Sequence, residues 1–247
     1  MVRTNLPIVS GLAYLPRAAH LLATNRQLWP YVAAPLALNV LVGGALTVVL
    51  VGLGWQGVDV LLARAPEWMA AAGPVLRVVL AGLVLYLVGM LVGRVGVVLG
   101  APFYAALAER IELMTLSIED IPDRQGGFLS DIGRAFLFEL KKLGLVLGVG
   151  ALALAANLVP VAGQVVGLVG GGALAVLLVC LDAFDPPLER RRLRFRQKVG
   201  VVVQNLHVTL GFGIPAALLA GVPFLNLLAF PLIMAAGTLL YCERLRR

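Results

Sequence analysis

The sequence has few of the residues that carry catalytic or metal chemistry. Among its 247 residues there are two cysteines and two histidines, and charged residues make up only 13%. Serine occurs only at positions 10, 117 and 130. The chain has no HExxH metal motif, no GxSxG nucleophile motif and no P-loop. We therefore predict that the protein is not an enzyme, has no catalytic residue or metal site, and needs no cofactor.

The scarce residues are also isolated from one another. Cys180 and Cys242 stand singly in apolar surroundings, without the CxxC spacing of a metal or redox site. They are best interpreted as small buried hydrophobic residues. His20 and His207 are far apart in the sequence, and each is near a predicted membrane interface. This placement favours an interfacial polar role for both histidines over metal or ligand binding.

In place of reactive residues, the chain has long runs without charge. Hydrophobic residues make up 60% of the sequence, and the mean hydropathy is +0.95. Such a composition is typical of a membrane protein. In a soluble protein the net charge of +7 would suggest nucleic-acid binding. Here the basic residues flank apolar segments, so we predict contact with membrane lipids and no nucleic-acid partner.

Two uncharged runs, residues 143–181 and 199–242, are each broken near the middle by the same turn signal. In both runs Val-Pro precedes two residues and then Gly or Asn, which tolerate tight turns. Lipid cannot satisfy the backbone of a turn, so such a turn needs surrounding protein or a water-filled cavity. Paired turns of this kind are typical of a permeation or binding site. The predicted turn residues are Pro160, Gly163, Pro223 and Asn226.

The apolar runs predict one all-α integral membrane domain over residues 1–247. Residues 28–58 and 75–99 each exceed the ~20 residues that cross a bilayer, so we predict two long transmembrane helices. The broken runs 143–181 and 199–242 become helical hairpins. The remaining predicted segments are an N-terminal interfacial segment (1–27) and cytoplasmic helices with a loop (100–142), including short amphipathic helices at 104–117 and 131–142.

The length of the hairpin arms predicts how deeply they enter the membrane. Residues 143–158 span ~24 Å at a helical rise of ~1.5 Å per residue, and the purely apolar residues 208–222 span ~22 Å. Both lengths fall short of the ~30 Å hydrocarbon core. We therefore expect both hairpins to penetrate the membrane only partly, although tilt or bilayer thinning would allow a full crossing.

The distribution of Lys and Arg predicts the orientation of the chain. Basic residues precede the first span, follow the second, separate the two hairpins and close the chain. All four groups lie on one side if each hairpin enters and returns. Only Arg64 and Arg77 would lie on the opposite side. We therefore predict a multi-pass protein of the bacterial inner (plasma) membrane with both termini in the cytoplasm.

Three residues are candidates for binding an anion. Asn25 and Arg26 precede the first span, where the positive end of a helix dipole and a guanidinium would favour an anion. An ordinary helix cap with a topology-determining charge is the alternative. Arg94 lies within the second predicted span and requires a partner or water there, unless it reaches the cytoplasmic headgroups. The helices that begin at the hairpin turns would also direct free N–H groups into the membrane.

The order of several motifs resembles the CysZ sulfate-permease family, whose broader membership includes etoposide-induced endoplasmic-reticulum relatives. The similar segments are Ser10-Gly11, Pro35-Leu-Ala-Leu-Asn39, Ala101-Pro102-Phe103 with Ala108-Glu109, Val159-Pro160-Val-Ala-Gly163-Gln164, and Val222-Pro223-Phe-Leu-Asn226 leading to Gly237-Thr238. They extend over nearly the whole chain. The resemblance implies a homo-oligomer that takes up sulfate for cysteine synthesis through a channel-like path, without ATP.

One segment departs from this family pattern. Members similar to sulfate permeases have a Gly-x-Arg-Arg sequence at the entrance of the first long helix. The matching positions here are Gln27, Leu28, Trp29 and Pro30, so Arg26 alone offers a guanidinium nearby. The chain is therefore interpreted as a permease for sulfate or a similar small anion. The alternative is a non-transporting membrane scaffold whose basic loops bind lipids.

Overall fold

The computed structural model describes residues 8–64, 66, 71–117, 128–158, 162–222 and 225–246, with the backbone alone at 92–99, 128–132 and 162. Helices account for nearly all of these residues, and no strand occurs in the described ranges. The all-α prediction is confirmed. The helices are α1 (Ile8–Leu12), α2 (Tyr14–Thr24), α3 (Trp29–Ala63), α4 (Gly73–Thr115), α5 (Phe128–Ala156), α6 (Ala162–Arg190), α7 (Phe195–Gln204), α8 (Leu206–Gly221) and α9 (Leu225–Leu240).

Helices α3 and α4 form a long antiparallel pair. A Cβ added to Gly54 would lie 2.5 Å from a methyl carbon of Leu80, and one added to Gly73 would lie 2.9 Å from Leu62. Each helix contains a stretch long and apolar enough to cross a membrane. In the most apolar part of α3 only 6% of the residues are buried inside the molecule. An exposed apolar surface of this length is what a membrane-spanning helix presents to lipid.

Helix α4 is longer than the sequence analysis expected. It continues through Pro102 to Thr115, so residues 104–115 are its last turns and not a separate amphipathic helix. Proline removes one helical hydrogen bond, but tertiary packing sustains the helix beyond it. Tyr104, Leu107 and Ile111 are buried on one face, and the Tyr104 ring folds back over Gly100. This continuity brings the charged end of α4 into the same bundle as α6 and α9.

The first hairpin consists of α5 and α6. Residues 131–142 were expected to form a short amphipathic helix of their own, but they belong to the continuous helix α5. Helix α6 likewise continues beyond residue 181 to Arg190, through the pair Pro186 and Pro187. The charged ends of α5 and α6 are therefore continuous with the apolar arms of the hairpin.

The second hairpin consists of α8 and α9, and a sharp bend of 99° separates α8 from α7. Residues 199–204 belong to α7 and not, as their uncharged sequence predicted, to the first arm of the hairpin. The Asn205 amide donates to the carbonyl of Val201, and the Thr209 hydroxyl lies 2.9 Å from the carbonyl oxygen of Val202. These side chains satisfy backbone groups that the broken helix leaves open. Helices α7 and α8 therefore do not form one straight helix.

Helix α9 is at the centre of the core. In the stretch Leu225–Leu245, 72% of the most apolar part is buried inside the molecule, in contrast to α3. Helices α2, α4, α6 and α8 all contact it. Ile233, Ala236 and Leu240 are fully buried there. The bundle that positions the charged residues is thus built around α9, and the α3–α4 pair extends from it.

Candidate anion-binding site

The corner between α2 and α3 is built by side chains that cap the end of α2. The Thr24 hydroxyl donates to the carbonyl oxygen of His20 at 2.8 Å. The side-chain amide nitrogen of Asn25 donates to the carbonyl oxygen of Leu21, also at 2.8 Å. The indole nitrogen of Trp29 donates to the carbonyl of Leu22 at 2.9 Å. These bonds satisfy carbonyls that a helix C-terminus leaves unpaired. They fix the angle at which the chain enters α3.

Asn25 and Arg26, the two candidate residues at this corner, differ in whether their side chains are already hydrogen-bonded within the chain. The Asn25 amide group donates within the chain, to Leu21 and to the Thr24 hydroxyl. Arg26 lies in a single 3₁₀ turn (Arg26–Leu28) directly ahead of α3, and its side chain is exposed. No carboxylate in the described part of the chain pairs with it. Arg26 is therefore the residue at this corner that is free to meet a solvent anion, while Asn25 caps α2.

A second arginine, which the sequence analysis did not select, lies near the same entrance. Arg110 is exposed on the last turns of α4, and Tyr31 lies in the first turn of α3. The nearby Tyr31 hydroxyl raises the pKa of Arg110. The sequence alone does not predict the position of Arg110, because that position depends on the antiparallel register of α3 and α4.

Several other cations near the ends of the helices are paired with carboxylates. Asp182, Asp185 and Glu189 recur at helical spacing on one face of α6. The Lys142 ammonium lies 2.6 Å from an Asp182 oxygen, and that of Lys198 lies 2.6 Å from a Glu189 oxygen. The remaining pairs are Lys198 with Asp185, Lys142 with Glu139, and Arg134 with Glu189. Glu139, Asp182 and Asp185 therefore each have a lysine partner at the base of the hairpins.

A buried carboxylate connects α4 to α6. Glu112 is fully buried, and one of its oxygens lies 2.7 Å from the Arg191 guanidinium. Its other oxygen lies 3.3 Å from Arg190, which also approaches Glu109 at 3.2 Å. Burying a carboxylate is costly unless cations and hydrogen bonds compensate for lost hydration. These arginines therefore stabilise the bundle and are not available as a general anion-attracting surface.

Another carboxylate ties the N-terminal helices to the C-terminal end of the core. Arg17 donates to both oxygens of Glu243 at 2.8 and 2.6 Å, and the Tyr14 hydroxyl donates to the same side chain at 2.8 Å. Burial and the hydrogen bond with Glu243 raise the pKa of Tyr14. A bidentate arginine–carboxylate pair has a defined geometry. This contact fixes α2, and through α2 the corner that carries Arg26.

At the hairpin turns the structure describes two of the four predicted residues. Gly163 packs directly on Asn157, because an added Cβ would lie 2.2 Å from the Asn157 side-chain oxygen. Asn226 is 6% exposed, and its side-chain oxygen has no hydrogen-bond partner among the described residues. Pro160, Pro223 and the side chain of Arg94 lie outside the described part of the chain. Gly163 therefore packs against its own turn, and among the described residues no hydrogen bond or ion pair joins Gly163 or Asn226 to Arg26.

Comparison with known proteins places these features in a family. The model of the family described as Sulfate transporter CysZ/Etoposide-induced protein 2.4 matches residues 14–231. The sulfate transporter CysZ of Pseudomonas fluorescens is 26% identical over 245 residues, which cover 95% of this chain and 94% of that protein. The sulfate transporter CysZ of Vibrio parahaemolyticus is 27% identical over 229 residues, 89% of each chain. The resemblance noted in the sequence is confirmed, and the chain belongs to the CysZ/etoposide-induced protein 2.4 family.

Proposed function

We propose that this protein is a sulfate permease of the bacterial inner membrane that supplies sulfate for cysteine synthesis. The observation that carries the proposal is the similarity to sulfate transporters over nearly the full length of both chains. The substrate is sulfate or a similar small anion, and we propose that transport proceeds without ATP hydrolysis.

The architecture supports a channel-like path. Helix α8 has 16 residues, or ~24 Å, and α7 leaves it at 99°. An arm of this length falls short of the ~30 Å hydrocarbon core. We therefore propose that the second hairpin penetrates the membrane only partly and that its turn ends near the middle. In the first hairpin, by contrast, the stretch Gly163–Arg190 of α6 is long and apolar enough to cross. Helix N-termini at that depth stabilise an anion through partial charges, which allow release more readily than a tight ion pair does.

We further propose that both termini face the cytoplasm and that the protein acts as a homo-oligomer. The basic segment around residues 190–198 supports this orientation under the positive-inside rule. The α3–α4 pair supports oligomerisation, because it extends from the core with large apolar surfaces that lipid or a second copy would cover. Light scattering of the purified protein in detergent would measure the number of copies, and a monomeric mass would contradict the oligomer.

Reconstitution into liposomes tests the transport function. Purified protein is incorporated into sealed vesicles, and uptake of labelled sulfate is followed in the absence of ATP. We expect uptake above that of protein-free vesicles, with competition by unlabelled sulfate. Vesicles that remain sealed to sulfate and to related oxyanions would instead favour the membrane-scaffold alternative. Uptake that requires ATP would contradict the channel-like mechanism.

A further inference from the structure

Two consecutive lysines of α5 lie on different sides of an aromatic pair. The rings of Phe138 and Phe195 meet edge to face, with centroids 5.8 Å apart, and join α5 to α7. The Lys142 ammonium lies 5.2 Å from the centre of the Phe138 ring and bonds to Asp182 of α6. The Lys141 ammonium lies instead 5.9 Å from the centre of the Phe195 ring. Because consecutive helical residues differ by ~100° in direction, one lysine faces the bundle and the other faces outwards.

The outward cations at this corner have no carboxylate partner in the described part of the chain. Lys141 is exposed, and so is Arg196, which follows Phe195 on α7. Consecutive Cα atoms are ~3.8 Å apart, so the ring contact brings Arg196 to the same corner as Lys141. The inward Lys198 differs, because it is 3% exposed and lies 2.6 Å from a Glu189 oxygen. Two positive charges that no described carboxylate neutralises therefore meet where α5 contacts α7.

The surface of α5 beside Lys141 is apolar and exposed. Leu137 lies one helical turn before Lys141, Leu140 immediately precedes it, and both side chains are about half exposed. Leu143 and Leu147 continue this exposed surface into the uncharged run that begins at residue 143. A lysine stem lies along such an apolar surface while its ammonium reaches the level of lipid headgroups. The corner thus presents cations at one end and an apolar surface that leads from them into the membrane.

We propose that Lys141 and Arg196 bind the phosphate of an anionic phospholipid, whose acyl chains lie along the exposed leucines of α5. The lipid matches both parts of the surface, because basic residues at the end of a membrane helix attract anionic headgroups. A second copy matches it less well, since a twofold contact through this face would set the same cations against each other. This inference goes beyond the proposed function, because it does not depend on which solute the protein transports.

Lipid binding by the purified protein in detergent tests the assignment. Native mass spectrometry measures the binding of phosphatidylglycerol and of phosphatidylcholine with the same acyl chains. We expect the parent to prefer phosphatidylglycerol, and the double variant Lys141→Gln/Arg196→Gln to lose that preference, with an affinity about fivefold lower for each charge removed. Arg64→Gln is the matched control, because it removes an exposed arginine just after α3 and should keep the preference. An unchanged preference in the double variant would overturn the proposal.

Two further measurements distinguish the lipid from other occupants. Glycerol 3-phosphate has a headgroup phosphate without acyl chains and should not displace phosphatidylglycerol at equal concentration; displacement would assign the cations to a soluble anion and contradict the lipid site. Light scattering should give the double variant the same mass as the parent, whereas a smaller mass would assign this face to contact between copies. Sulfate uptake is measured separately in liposomes, so a protein that fails to transport sulfate leaves the lipid result standing.

Discussion

The backbones of Gly11 and Gly211 meet with no side chain between the two helices. A Cβ added to Gly211 would lie 1.9 Å from the carbonyl oxygen of Ile8, and one added to Gly11 would lie 2.2 Å from the carbonyl oxygen of Val208. Distances this short are far below van der Waals contact. The short helix α1 can therefore cross α8 only because both positions are glycine. Together with the Arg17–Glu243 pair, this crossing fastens the N-terminal segment to the second hairpin.

Alanine at either crossing glycine should weaken the attachment of α1 to α8. Because each new methyl group would meet backbone and not a flexible side chain, the helices must separate. Overpacking of this kind typically costs about 1–3 kcal/mol. Gly11→Ala and Gly211→Ala should lower the melting temperature of the purified protein and increase proteolysis of the N-terminal segment. Gly167→Ala is the control, since nothing lies within 4 Å of the added carbon; equal melting temperatures for all three variants would contradict the close crossing.

Removing the buried Glu112 carboxylate should destabilise the bundle much more than removing an exposed one. Glu112→Ala removes the buried carboxylate that Arg190 and Arg191 share, and breaking a buried ion pair costs about 3–5 kcal/mol. Glu139→Ala removes the half-exposed partner of Lys142 and should cost about 1 kcal/mol or less. Chemical or thermal unfolding in detergent measures the difference. Comparable stability of the two variants would mean that the Glu112 cluster is not buried in the folded protein.

The sequence predicted those parts of the fold that depend on local pattern. Long uncharged runs and their proline-containing breaks were sufficient to predict the all-α membrane class. The continuity of α4 through Pro102 was not predicted, because it depends on the packing of Tyr104 and its neighbours against other helices. The bend at Asn205 was missed for a related reason. At this bend the side chains of Asn205 and Thr209 bond to backbone carbonyls in place of helical N–H groups. The mostly apolar sequence around them does not indicate that the helix breaks.

Less of the candidate anion-binding site than of the fold could be predicted from the sequence. Arg26 was selected from the sequence because it immediately precedes an apolar run. Arg110 belongs to the segment 104–117, for which the sequence predicted only an amphipathic helix, and its place relative to α3 depends on how α3 and α4 align. Pairing across the chain, such as that of Glu112 with Arg191, also decides which cations are already neutralised. The number of positive charges can be read from the sequence, but which of them form ion pairs with carboxylates cannot.

The contact between Gly163 and Asn157 predicts that the first hairpin turn tolerates no side chain. An added Cβ would lie 2.4 Å from the Asn157 Cα, so the backbone itself must move. Gly163→Leu should impair folding or oligomer assembly and abolish sulfate flux with it. Gly170→Ala on the same helix is the comparison, because its nearest neighbour would be a Val149 methyl at 3.7 Å. Normal assembly and flux of Gly163→Leu would exclude a tightly packed turn.

The membrane topology is tested by labelling single introduced cysteines with a bulky, membrane-impermeant reagent. Cys180 and Cys242 are buried and should contribute little background. Cysteines at exposed positions Ala19 and Arg196 should react only from the cytoplasmic side, and one at Pro66 only from the opposite side. Leu158, at the end of the first hairpin arm, is 86% exposed. Labelling of Leu158→Cys from the side that reaches Pro66 would mean that the hairpin crosses fully.

The side chain of Arg26 is exposed just ahead of α3. If Arg26 captures the anion, Arg26→Ala should weaken sulfate binding by about tenfold or more, because a charge-assisted hydrogen bond contributes about 1.5–3 kcal/mol. Arg26→Lys should recover only part of the affinity, since a point charge replaces a bidentate fork. Equilibrium binding of labelled sulfate measures both effects, and light scattering verifies that the oligomer is intact.

Arg94→Ala provides the comparison for a site inside the membrane. Loss of flux in liposomes with unchanged sulfate binding would place Arg94 in the conduction path, because an intramembrane charge acts on passage and not on capture. Loss of binding in Arg26→Ala with residual flux at high sulfate would place Arg26 at the entrance alone. If both alanine variants bind and conduct sulfate like the parent, neither side chain selects the anion. Selection would then depend on the backbone N–H groups of the hairpin turns.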